Sequence, residues 1–173
     1  SKLTPDDALA MLKEGNQRFL NGTQRKREIN QQVIQTAQGQ YPFATIVGCI
    51  DSRVPLSLIF DQGIGSLFGA KVAGNIINDD ILGSLEFACK LAGSKVVVVL
   101  GHTSCGAVKG ACDQAELGNL TALLSKINPA VLNIKEPQNP ELRNSKNSEF
   151  VDAVALENVK LTVQNIRTYS NVL

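Results

Sequence analysis

Two short runs hold residues able to do chemistry together: Cys49-Ile50-Asp51-Ser52-Arg53 and His102-Thr103-Ser104-Cys105. Two thiols and an imidazole form a mixed sulfur and nitrogen donor set, which suits zinc best among the common divalent ions. Three protein ligands leave one tetrahedral position vacant, the pattern of a catalytic zinc site; structural sites are closed by four. Asp51 and Arg53 lie two residues apart, so in extended backbone their side chains point the same way. Arg53 then grips the Asp51 carboxylate in a two-pronged hydrogen bond, keeping it off the metal and aimed at a water there. Released from Arg53, Asp51 becomes a fourth ligand and shuts the site. Taken singly, Cys49 or Cys105 reads as a small buried hydrophobe, and the Asp51–Arg53 pair as a surface ion pair of little worth. A Cys in one motif with His-x-x-Cys in another outweighs those readings.

Each run follows an apolar segment that reads as a buried strand, residues 43–48 before the first and 95–101, with four consecutive valines, before the second. Strand ends are where sites form in open α/β sheets. Residues 66–73 predict another strand. Thr4-Pro5-Asp6-Asp7 starts a helix, with Thr as cap and Pro in the first turn, giving an N-terminal arm over about 4–22. Leu9, Leu12, Phe19 and Leu20 mark its apolar face. Further helices are predicted over 31–38, 55–60, 78–93, 104–114, 119–127 and 152–166. On this reading Cys105 sits in a first helical turn, where free amides favour its thiolate. Residues 128–148, with three prolines, read as a surface connection, and Arg25-Lys26-Arg27 as a solvated basic loop. Alternating strands and helices imply an α/β fold, a mostly parallel β-sheet flanked by helices, in a single domain over 1–173.

The 173 residues are 43% hydrophobic and 19% charged, with a formal net charge of +1, so nothing marks a nucleic-acid partner. No apolar run reaches the length of a bilayer span and no signal-peptide pattern opens the chain, so no membrane partner is expected. Four cysteines in a chain of this core content need no disulfides. Cys89 and Cys112 read as core residues, and the setting as cytoplasmic.

At these residues the chain resembles the β-class carbonic anhydrases, whose signature Cys-x-Asp-x-Arg followed by His-x-x-Cys is present as Cys49, Asp51, Arg53, His102 and Cys105. The likeness includes Asp51-Ser52-Arg53-Val54-Pro55, Ala73-Gly74-Asn75 and Gly101-His102-Thr103-Ser104-Cys105-Gly106. It implies a zinc lyase, a carbonate dehydratase, that reversibly hydrates carbon dioxide to bicarbonate and a proton. It assigns Gln40, nine residues before Cys49, and the Gly106 backbone N–H to substrate contacts. Phe68, Ala73 and Phe87 match an apolar pocket contributed by a neighbouring subunit, which implies a homodimer or a higher homo-oligomer. Hydrolysis of carbon disulfide or carbonyl sulfide on the same scaffold is an alternative. Another is a non-catalytic zinc-binding assembly domain with Asp51 as permanent fourth ligand. Three departures stand out. Lys71-Val72 replaces the family's Arg-Asn, and Ile46 replaces a Trp that one subgroup uses in an inhibitory bicarbonate site. The chain also stops at Leu173, where the family continues into a helix and a further strand, so a fold without the usual C-terminal strand is expected.

Overall fold

The computed structural model describes residues 3–173; the first two residues of the domain expected over 1–173 lie outside them. In chain order the elements are α1 (Pro5–Leu20), α2 (Ile29–Thr36), β1 (Ala44–Gly48), α3 (Leu56–Ile59), β2 (Leu67–Lys71), α4 (Asp79–Glu86), β3 (Val96–Leu100), α5 (Gly106–Cys112), α6 (Gly118–Ser125), α7 (Asn128–Asn133) and α8 (Ser148–Tyr169). The strands form one parallel sheet in the order β2-β1-β3. β1 is buried throughout, which is why its residues are small or apolar; the hydroxyl of Thr45, its one polar side chain, is bonded to Ser94 Oγ at 2.9 Å. Gly48 pairs with Lys71 on one side and Leu100 on the other, so all three strands end level.

Side chains alternate across β1 and divide the core. Ala44 and Ile46 pack with Leu12 of α1, Leu56 of α3 and Phe60. Val47 packs on the opposite face with Leu82 and Leu85 of α4 and Ile166 of α8. A third cluster lies beyond the strand ends, where α5 to α8 gather around Val108, Ile127, Phe150 and Val154. Among the described residues, β3 has no strand on its outer side, and no helix is long and apolar enough to cross a membrane.

Helix α1 starts as its sequence dictates. Asp7 N–H donates to Thr4 Oγ1 at 3.1 Å, and Thr4 N–H donates back to the Asp7 carboxylate at 3.0 Å. Its buried face differs from the expected one: Ala8, Leu12 and Gly15 are buried, whereas Phe19 and Leu20 are exposed. Gly15 decides this. A Cβ there would lie 1.8 Å from the Phe60 carbonyl oxygen, so only glycine lets the helix come this close.

Two stretches read as loops are more ordered than expected. Residues 128–148 contain α7, with Pro129 in its first turn and Ala130 fully buried. Arg143 then pins the following loop, donating to Val131 O at 2.9 Å and Pro137 O at 3.2 Å, with its guanidinium 4.6 Å from the Phe150 ring centre. The basic stretch is not merely solvated either. Arg27, the Arg25 amide and Arg18 of α1 all donate to the buried carboxylate of Asp61. Burial pushes the Asp61 carboxyl up, yet Arg27, Arg18 and the Arg25 amide together bring its pKa down to about 2. By contrast α2 buries none of its residues and leaves Ile29, Val33 and Ile34 exposed.

Candidate metal centre

Because β1 and β3 are adjacent and end level, the segments that leave them run side by side, Cys49 from one and Gly101-His102 from the other. Ser104 takes a left-handed φ of 53°, turning the chain back so that Cys105 becomes the N-cap of α5. Cys49 Sγ and Cys105 Sγ lie 3.9 Å apart. His102 Nδ1 lies 2.8 Å from the Thr103 carbonyl oxygen, an acceptor, so Nδ1 carries the proton. Its other nitrogen, Nε2, is buried without a hydrogen-bond partner. These three ligand atoms lie within 4.8 Å of one another.

That geometry fits zinc. Two thiolates bound at the usual Zn–S length around a tetrahedral ion sit about 3.8 Å apart. An uncompensated buried imidazole nitrogen is costly, and an ion between it and the two sulfurs removes the cost. Cys49, His102 and Cys105 are the residues that would hold it. Behind them, Gly74 N–H donates to Cys49 Sγ at 3.3 Å. Gly74 has a φ of 70°, and a Cβ there would meet Ile127 Cδ1 at 2.6 Å. Asn158 of α8 fixes the same turn, donating to Gly74 O at 2.7 Å, and Thr162 donates to Asn75 O at 3.3 Å.

The two thiols differ in their surroundings. Burial opposes a thiolate at Cys49, but the adjacent His102 ring, the Asp51 and Gly74 backbone amides and Cys105 together hold its pKa below the ordinary thiol value. At Cys105 burial is the largest influence and pushes the pKa up, outweighing the Val108 and Ala107 amides of the helix start; the neighbouring Cys49 charge adds to the rise. Without an ion, Cys49 is the readier thiolate.

Asp51 is held as its spacing predicts. Oδ1 accepts from Arg53 N and Nε, both at 2.9 Å, and Oδ2 accepts from Nη2 at 2.7 Å. These bonds, the side-chain ones first, keep the carboxyl well below the usual carboxylate range. Oδ2 lies 3.8 Å from His102 Nε2, at the rim of the three-ligand cluster. Arg53 Nη2 also reaches Ser104 O at 3.4 Å and so ties the two motifs together.

The remaining residues divide into two groups. Gly106 opens α5, so its N–H has no acceptor within the helix and stands one residue from Cys105. Ala73 is one residue from the amide that contacts Cys49. Gln40, exposed, precedes β1 at the other end of the sheet; the five residues of the strand alone separate it from Cys49 by roughly 16 Å. Phe68 pairs in register with Thr45, four residues before Cys49, and meets Phe87 edge to face with ring centres 6.2 Å apart. One chain therefore gathers Cys49, Asp51, Arg53, Ala73, His102, Cys105 and Gly106, and holds Gln40, Phe68 and Phe87 apart from them. Asn158 escaped the sequence reading. Its signal was a polar residue on the buried stripe of α8, beside Val154, Ala155 and Thr162.

A family model described as "Carbonic anhydrase" matches residues 44–173. Carbonic anhydrase 2 of Mycobacterium tuberculosis is 41% identical over 136 residues, which cover 74% of this chain and 65% of that protein. The carbonic anhydrase of Mycolicibacterium smegmatis is 38% identical over 135 residues, with the same shares of 74% and 65%. The chain thus spans about two thirds of the length of these relatives, 65%. The crystal structure of the β-carbonic anhydrase CafA of Aspergillus fumigatus is similar with a TM-score of 0.68 at 29% identity, covering 93% of this chain and 74% of that one.

Proposed function

Because the chain belongs to the β-class carbonic anhydrase family, we propose that it is a zinc lyase that reversibly hydrates carbon dioxide to bicarbonate and a proton. One observation carries the reading: a buried, partnerless His102 Nε2 shares a pocket with two sulfurs 3.9 Å apart, beside an aspartate locked by arginine. When bound, zinc supplies Lewis acidity that makes water a usable nucleophile near neutral pH. Asp51 accepts a hydrogen bond from the attacking water and so turns its lone pair toward the carbon. Arg53 occupies both Asp51 oxygens and keeps the carboxylate from becoming a ligand. The same hold speaks against a purely structural zinc domain, which needs Asp51 as its fourth donor. Gly106 N–H offers a donor to the oxygen that gains charge.

The pocket is finished by a second copy. Gln40 would donate its amide to a substrate oxygen of the neighbouring site, where Phe68 and Phe87 would join that site's own Ala73 in an apolar wall for a neutral gas. Two features support a homodimer or larger assembly. Phe87 is 51% exposed at the sheet end remote from its own metal ligands, and α2 leaves its apolar residues uncovered. The four cysteines are free thiols, which supports a reducing, cytoplasmic setting for the domain.

The test is metal analysis of the purified protein together with a stopped-flow hydration assay. We expect one zinc per chain and an activity lost to chelation and restored by zinc. Zinc-loaded oligomer that leaves carbon dioxide hydration at the buffer rate, or that turns over only carbon disulfide or carbonyl sulfide, overturns the assignment.

A further inference from the structure

The turn that carries Asp51 is gripped from outside by one side chain that the family motif does not assign. Lys71, the last residue of β2, pairs in register with Gly48, so its backbone stands beside the residue before Cys49. Its Nζ donates to Val54 O at 3.0 Å and to Asp51 O at 3.4 Å. Asp51 O also accepts from Val54 N at 3.0 Å, closing a turn over residues 51–54. One ammonium group thus holds both ends of the turn whose middle bears Arg53. Packing holds the turn on its next side. Leu56 lies over Gly48 and Gly69, where a Cβ on either glycine would come within 3.1 Å of it.

We propose that Lys71 is a positioning residue that keeps Asp51 in the grip of Arg53 and so keeps the fourth metal position open. The proposal rests on the hydration chemistry assigned above. Among the described residues the Asp51 carboxylate accepts hydrogen bonds from Arg53 alone, whose side chain is 66% exposed, and Asp51 Oδ2 is already 3.8 Å from His102 Nε2. A small rotation of the turn would bring the carboxylate to the metal corner. Lys71 opposes that rotation because the Asp51 carbonyl cannot swing while it is tied to an edge strand in register with β1. A charge-assisted donor bridging two carbonyls does this better than water, which stays with neither.

The experiment uses the full chain with Lys71→Met, Lys71→Gln and Lys71→Arg, each loaded with zinc and, separately, with cobalt(II). The visible absorption of the cobalt proteins reports the ligand set. Arg53→Ala, which removes both side-chain bonds to the Asp51 carboxylate and leaves only the backbone one, supplies the reference spectrum for the closed site. We expect Lys71→Met and Lys71→Gln to move toward that reference and to lower kcat about tenfold while KM stays near the parent value. Lys71→Arg, which keeps the charge and the reach, should restore both. Lys71 is exposed, so the variants should fold; if Lys71→Met does not, Lys71→Gln alone decides. Parent-like spectra and kcat in the Met or Gln variant overturn the proposal, as does a loss that arginine fails to restore. A parent protein inactive toward carbon dioxide would instead sink the assigned reaction, and the cobalt spectra would still decide the role of Lys71.

Discussion

Asp51 and Asp61 stand ten residues apart, and each is gripped by arginine, yet they do opposite work. The Asp61 side chain is 1% exposed and is held by Arg18 and Arg27, which come from α1 and the segment after it. Those cations close every approach to the carboxylate, so the cluster fastens the N-terminal arm to the end of α3 and has no freedom left for chemistry. The Asp51 side chain is 14% exposed and its partner Arg53 is 66% exposed. An acceptor held by a single wet neighbour can be offered to a water or withdrawn from a metal. Burial and the number of partners, more than the pairing of residue types, separate a rivet from a catalytic group.

Four measurements would break or sharpen that contrast. The largest effect is expected from Asp51→Asn, which should lower turnover by about a hundredfold or more while the melting temperature stays with the parent. Lost stability with intact turnover would reverse the roles assigned to the two aspartates. Asp61→Asn should do the converse. It leaves two arginines facing a neutral amide and should cost about 3 kcal/mol in denaturant unfolding, with zinc content unchanged. Acid titration gives a third measure. The Asp61 carboxyl is depressed from its ordinary 3.8 to about 2 in the fold, so its stabilisation is complete above the ordinary value and lost as pH falls toward 2. Unfolding free energy should therefore fall between those limits in the parent and fall less in Asp61→Asn; equal slopes would deny Asp61 its role. The smallest effect is that of salt. At 1 M, where the screening length is about 3 Å, turnover should drop modestly through the exposed Asp51–Arg53 pair. The Asp61→Asn stability difference should persist; its disappearance would mean that Asp61 is solvated.

The metal ligands were legible because each motif is local and follows a strong strand signal. Cys49, Asp51 and Arg53 fall within five residues, and His102 and Cys105 within four. The cap of α1 was legible for the same reason. The Asp61 cluster was not, since its partners lie 34 to 43 residues away and Arg25-Lys26-Arg27 looks like any exposed basic run. The helix-start position of Cys105 was visible in sequence, whereas its burial was not, because it comes from packing in the cluster that contains Phe150 and Val151 of α8, a distant element. Gln40 stands close to Cys49 in sequence, and only the length of β1 reveals that a straight strand keeps them apart.

The outer border of β3 has one more consequence. β2, the opposite border, presents Gly69 and Lys71, a gap and a charge that deter an arriving strand. Four valines and a leucine on β3 invite one. In concentrated solution one molecule's Val96–Leu100 is a template for its neighbour's, and pairing the two borders would join two sheets into one while every zinc ligand stayed in place. Extended backbone laid along that border turns a liability into interior.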